Sequence, residues 1–173
     1  DKQEKKRNDS DYDKNHLSKQ EDIVETFEEM GLKKHLLRGI YNYGFVKPSA
    51  VQQRAIMPIL RGYDVIAQSQ SGTGKTTIFS IGILQIIDCN INKLQGIILS
   101  PTRELAEQTK NVISAFGQYL KVNIISLIGG TSIQRDIDLL QSNKVQIISA
   151  TCGRLNDMIS RECINTKHIR LLI

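Results

Sequence analysis

The chain lacks the marks of several protein classes. Its three cysteines, Cys89, Cys152 and Cys163, are odd in number and form no Cys-x-x-Cys pair. That pattern argues against a disulfide frame or a zinc ribbon and reads as reduced thiols in the cytosol or nucleus. No apolar run approaches the roughly 18 residues that a spanning helix requires, and no signal-peptide pattern opens the chain. No membrane partner is therefore expected.

What is there is ordinary in bulk. Hydrophobic residues make up 40% of the 173 and charged ones 24%, which suits one globular domain with a sizeable core. The net charge is +5. Residues 1–22 hold six Lys/Arg against seven Asp/Glu, so the remaining 17 bases against 11 acids carry the excess. A basic folded part fits a polyanionic partner, as support and no more. Residues 1–22 are polar and almost free of aliphatics, so they are expected as a disordered charged tail, with a domain over 23–173.

Beyond the tail the pattern becomes regular. Residues 32–43 and 50–60 read as amphipathic helices, the second with Pro58 in its last turn. Strand-like apolar runs follow at 65–67, 96–99, 122–127, 145–148 and 169–173, with helical stretches at 76–88, 103–118, 132–141 and 153–160. Buried, β-branched strands alternating with helices predict an α/β fold: a parallel sheet with helices on both faces. Ligands in such sheets bind at the carboxyl ends of the strands.

The loop after the first of these runs is Ser69-Gln70-Ser71-Gly72-Thr73-Gly74-Lys75-Thr76. Strand, glycine loop, then helix is the context of a phosphate-binding loop. Its glycines let the backbone aim several N–H groups at one point, and the helix adds its positive dipole end there. Lys75 is expected on the β- and γ-phosphates and the Thr76 hydroxyl on Mg²⁺. Ser71, Gly72, Thr73, Gly74 and Thr77 complete this candidate set. The strict pattern asks for glycine at Ser69. Upstream, the Gln52 amide offers a donor and an acceptor that match the N6/N7 edge of adenine, whereas guanine presents O6 there.

Four more segments stand in order around this loop: Gly44-Phe45-Val46-Lys47-Pro48-Ser49-Ala50-Val51-Gln52-Gln53, Pro101-Thr102-Arg103-Glu104-Leu105-Ala106, Gly129-Gly130-Thr131 and Thr151-Cys152-Gly153-Arg154. Together with the phosphate loop they resemble the DEAD-box RNA helicases. Within that family they are similar to the eukaryotic initiation factor 4A group and its nuclear, exon-junction branch, where Ser69 is a usual residue. The resemblance covers about residues 25–173.

The resemblance implies the N-terminal RecA-like, ATP-binding domain of an ATP-dependent RNA helicase, with ATP and Mg²⁺ as cofactors. It implies Phe45 and Lys47 at the adenine, Phe27 as an upstream aromatic, and Pro101, Thr102, Arg103, Gly129, Gly130, Thr151 and Arg154 at RNA. Contacts to phosphate and 2′-hydroxyl carry little base information, so RNA binding is expected to be sequence-tolerant. Glu104 is expected to hold neighbouring loops. Partners in splicing or translation complexes are implied, and a nuclear or cytoplasmic location, with the nucleus favoured.

Two departures qualify this. Cys152 stands where the family has proline, which predicts a looser turn beneath Arg154 and a partly buried thiol. Ser149-Ala150-Thr151 matches a later family motif in letters alone and is read as coincidence. The resemblance also places Asp-Glu-Ala-Asp beyond Ile173, so the expectation is a fragment, its sheet incomplete at the C-terminal end, with little ATPase activity of its own. A non-catalytic product that binds RNA or a partner is the alternative. A GTPase is disfavoured by Gln52 and by the lack of an Asn-Lys-x-Asp motif.

Overall fold

The computed structural model describes residues 23–142 and 144–173. The charged tail expected over residues 1–22 lies outside them. Among the described residues six helices and four strands follow one another: α1 (Lys34–Asn42), α2 (Ala50–Leu60), α3 (Lys75–Ile86), β1 (Gly96–Ser100), α4 (Arg103–Phe116), β2 (Ile124–Leu127), α5 (Ile133–Gln141), β3 (Ile147–Thr151), α6 (Cys152–Ser160) and β4 (Leu171–Leu172). The strands form one parallel sheet in the order β2-β3-β1-β4.

Neighbouring positions on the strands face opposite ways, and the core divides accordingly. Ile98 and Ile147 join Phe27, Leu36, Ile40, Ile56, Ile81, Leu84 and Phe116, from α1 to α4 and the segment before α1, on one face. Ile97, Ile148 and Ala150 join Leu155 and Met158 of α6 on the other, with Ile137 and Leu140 of α5 packed against them. Helices on both faces are thus observed. α3 is apolar nearly all round and is the most deeply buried helix; Ile81, Ile83 and Leu84 are fully covered, each worth roughly 1.5–3 kcal/mol. Its far end is capped by Lys33, whose Nζ donates to the Leu84 and Ile87 carbonyls at 3.1 and 2.6 Å. Burial lowers the pKa of that amine.

One expected strand is absent. Residues 63–70 belong to no helix or strand and pair with no strand among the described residues. Ile66 within them is fully exposed, at 101%. A β-branched run becomes a strand only when a ladder partner takes its N–H and C=O groups. The other expected elements form, with ends shifted by a few residues. Pro58 sits inside α2 without ending it, and the helix runs on to Leu60.

Candidate functional site

The glycine loop ends on Gly74, whose φ of +88° is the left-handed conformation that only glycine adopts freely, and α3 starts at the next residue. A Cβ on Gly74 would also stand 2.3 Å from Gln52 Nε2. Lys75 Nζ donates to the Ser69 and Gln70 carbonyls at 2.7 and 2.6 Å. The Thr73 hydroxyl bonds Gln70 O at 2.8 Å and lies 2.6 Å from Ser69 Oγ. Ser69 is therefore a working member of the loop, tying its start to its crest. Gly72, at φ +80°, has nothing within 4 Å of where a Cβ would point, and Ser71 is exposed. Thr76 is half-buried in the first turn of α3. Thr77 is 4% exposed and its N–H donates to Gly74 O at 3.1 Å, so it supports the loop from below.

Gln52 is 1% exposed. Its Oε1 accepts from Ser49 N at 2.9 Å, and its Nε2 donates to Gly74 O at 3.2 Å. Ser49 Oγ donates to Thr73 O at 3.0 Å. The start of α2 is thereby stapled to the phosphate loop. Both ends of the Gln52 amide are engaged with protein, leaving one N–H and one lone-pair direction. Phe45 is half-buried, stacked on Tyr43 (5.8 Å between ring centres, 10° apart) and edge-on to Phe116 at 5.9 Å. Lys47 is exposed beside it in the chain. Phe27, the upstream aromatic, is wholly buried in the core with its ring edge-on to Tyr41.

The remaining segments converge. Ser100 and Thr151 are partners across β1 and β3, and Leu127 and Ala150 across β2 and β3. The loops at 101–103, 128–131 and 151–154 therefore leave the carboxyl ends of three adjacent parallel strands. Thr102 caps α4, its hydroxyl accepting from Leu105 N at 3.2 Å. Pro101, Thr102 and Arg103 are exposed. The Arg103 guanidinium lies over both glycines: a Cβ on Gly129 would stand 3.1 Å from its Nη2, and one on Gly130 2.7 Å from its Nη1. Gly130 also holds φ +88°. The bare glycines make room for Arg103. Glu104 does not hold neighbouring loops as expected. It is exposed, and its own backbone N–H, then the Thr102 hydroxyl, draw its pKa down at the helix start.

Arg154 departs most from expectation. Its Nη1 pairs with the Asp136 carboxylate and donates to Thr131 Oγ1 at 3.1 Å, while Nη2 donates to Thr131 O at 3.0 Å. The side chains of Arg154 and Asp136 are 8% and 4% exposed. Arg154 is thus fixed by bonds of its own. Cys152 itself is exposed rather than partly buried, as the first residue of α6. Ser149 and Ala150 lie inside β3, and Ser149 Oγ donates to Ala106 O at 2.7 Å, which fastens α4 to the sheet. Ser49 and Thr131 stand in the motif segments but carried no assigned role, and Asp136 went unmarked. An aspartate at the fourth position of a helix opening on a serine cap carried no signal that it would be buried. Among the described residues no His, Cys, Asp and Glu cluster is set to hold a metal ion, and no helix is long and apolar enough to cross a membrane.

The chain is similar to known proteins in sequence and in fold. The DEAD/DEAH box helicase family model matches residues 49–173. The chain is 56% identical over 151 residues to the ATP-dependent RNA helicase FAL1 of Mycosarcoma maydis, covering 87% of this chain and 38% of the relative. It is 52% identical over 156 residues to eukaryotic initiation factor 4A-3 of Nicotiana plumbaginifolia, covering 90% and 40%. Among solved structures, S. cerevisiae Dbp5 bound to RNA and ADP BeF3 superposes with a TM-score of 0.77 at 34% identity, covering 86% of this chain and 37% of that one. A DEAD box protein from Methanococcus jannaschii gives 0.79 at 34% identity, covering 84% and 40%. The chain thus spans about two-fifths of the length of these proteins, and the fold is RecA-like. By sequence and by fold, this chain belongs to the DEAD/DEAH box helicase family.

Proposed function

We propose that this chain is the nucleotide- and RNA-binding domain, over residues 23–173, of an ATP-dependent RNA helicase. The observation that carries the proposal is the convergence of three loops at the ends of adjacent parallel strands. Arg103 there lies over Gly129 and Gly130, in a chain whose α3 opens on a phosphate loop. The relative bound to RNA and ADP BeF3 supports both ligands.

The residues present fit a triphosphate. Lys75 Nζ rests on two carbonyls of its own loop, acceptors that phosphate oxygens can replace. Gly72 and Gly74 leave the loop without side chains at its crest. Bound Mg²⁺ would supply positive charge at the triphosphate, and the Thr76 hydroxyl would be the group to hold it. Phe45, with Lys47 beside it, offers a ring face for a base, and Gln52 a remaining donor and acceptor that favour adenine. On the other side, Pro101, Thr102 and Arg103, with Gly129, Gly130 and Thr151, form the surface for an RNA backbone. Helix α4 adds the positive end of its dipole there. A nuclear setting and partners in splicing or translation complexes rest on the subgroup likeness alone.

The test is ATP turnover with and without single-stranded RNA, in a polypeptide that carries this chain and extends past Ile173. RNA is expected to raise turnover, and Lys75→Ala to abolish it. Turnover indifferent to RNA, or intact in Lys75→Ala, would overturn the reading.

A further inference from the structure

We propose that Asp136 is a positioning residue for RNA binding. It locks Arg154 onto Thr131 and so sets the Gly129-Gly130 loop, while Arg154 itself meets no phosphate. The inference rests on the RNA reading of that loop given above.

The lock joins three parts of the chain that are distant in sequence. Asp136 belongs to the first turns of α5, Arg154 to the first turn of α6, and Thr131 to the loop between β2 and α5. Thr131 is held three ways. Its carbonyl and hydroxyl accept from Arg154 at 3.0 and 3.1 Å, and its hydroxyl donates to Ile128 O at 2.9 Å. The two glycines lie between Ile128 and Thr131, so both ends of that short segment are tied. Fold stability alone gives little reason for a buried ion pair here, since an apolar pair of similar volume does as well or better. A planar guanidinium that grips a carboxylate, a hydroxyl and a main-chain carbonyl together does what an apolar pair cannot: it fixes loop position.

Charge separates this role from direct contact. The Arg154 guanidinium is buried, and Asp136 neutralises it. Arg103 is exposed and lies over the glycines, so it is the cation that phosphate meets. Each phosphate contact through a cation adds about 0.7 to the slope of log affinity against log salt for a single strand. A positioning residue changes affinity and leaves that slope alone.

The experiment measures the affinity of the chain for a uniform single-stranded oligouridylate across a salt series, with adenine-nucleotide affinity and amide resonances on the same samples. Asp136→Ala leaves a buried unpaired arginine and risks unfolding, so the decisive variant is the double replacement Asp136→Leu with Arg154→Met, compared with Arg103→Ala. The double variant is expected to weaken RNA binding about tenfold. Its salt slope and nucleotide affinity should stay as in wild type, while the Gly129, Gly130 and Thr131 amides shift. Arg103→Ala is expected to lower the slope by about 0.7. A lower slope in the double variant would show Arg154 on phosphate and overturn the proposal, as would unmoved loop amides or unchanged RNA affinity. Wild-type protein that binds no RNA would sink the RNA reading itself, whereas the loop amides would still report on the lock.

Discussion

The two halves of the site are held by different means. The phosphate loop rests on itself and on α2: Lys75 is folded onto the Ser69 and Gln70 carbonyls, Gln52 and Ser49 staple it, and the segment leading in pairs with no described strand. The loops proposed to meet RNA rise from three hydrogen-bonded parallel strands and are cross-linked by a buried ion pair. The half with the stronger sequence motif therefore has the lighter scaffold. A phosphate loop encodes its ligand in backbone conformation, which short glycine-rich sequence specifies locally. An RNA-backbone surface is assembled from separate loops, and only tertiary contacts can set their spacing.

Substitutions can break this contrast, and the largest effect is expected on the RNA side. Asp136→Ala leaves Arg154 buried without its partner and is predicted to cost about 3–5 kcal/mol in denaturant unfolding. Lys75→Ala should do the reverse. It should remove about 1.5–3 kcal/mol of nucleotide affinity, measured by titration, while unfolding stability moves by less than about 0.5 kcal/mol. Gly74→Ala forces a side chain into the left-handed region and against Gln52. A loss of about 1–2 kcal/mol in stability is expected, with weaker nucleotide binding alongside.

Smaller changes sharpen the comparison. Ser149→Ala removes the bond from β3 to the Ala106 carbonyl of α4. It should cost about 0.5–1.5 kcal/mol and leave nucleotide affinity unchanged. Cys152→Pro is expected to stabilise by about 0.4–1 kcal/mol in thermal unfolding. Position 152 opens a helix, where an N–H is unpaired in any case, and Thr151 already holds the extended backbone (φ −88°, ψ 144°) that a following proline demands.

Much of this was legible in the sequence, and what was not has physical causes. The alternation of β-branched runs with helices gave the parallel sheet and its two covered faces, because burial on both sides of β1 and β3 leaves an apolar run in the letters. The strand at 65–67 failed because strand formation depends on a partner as well as on Val65 and Ile66. Motif spacing placed Arg103 and the glycines at strand ends, and the structure brings them together. It could not show that Arg154 turns inward, since its partner Asp136 lies 18 residues away and nothing local marks that aspartate as buried. Glu104 was expected to hold neighbouring loops, and its surroundings decided otherwise: it stands exposed at a helix start.

The central claim is that one chain carries an adenine-nucleotide site and a separate RNA surface. Paired titrations of this chain with fluorescent ATP and GTP analogues, in wild type, Lys75→Ala and Arg103→Ala, with oligouridylate as second ligand, test it most directly. The account predicts tighter ATP than GTP binding that Lys75→Ala removes and Arg103→Ala spares, with RNA binding weakened by Arg103→Ala alone. Equal affinity for the two nucleotides, or loss of both ligands in either variant, would contradict it.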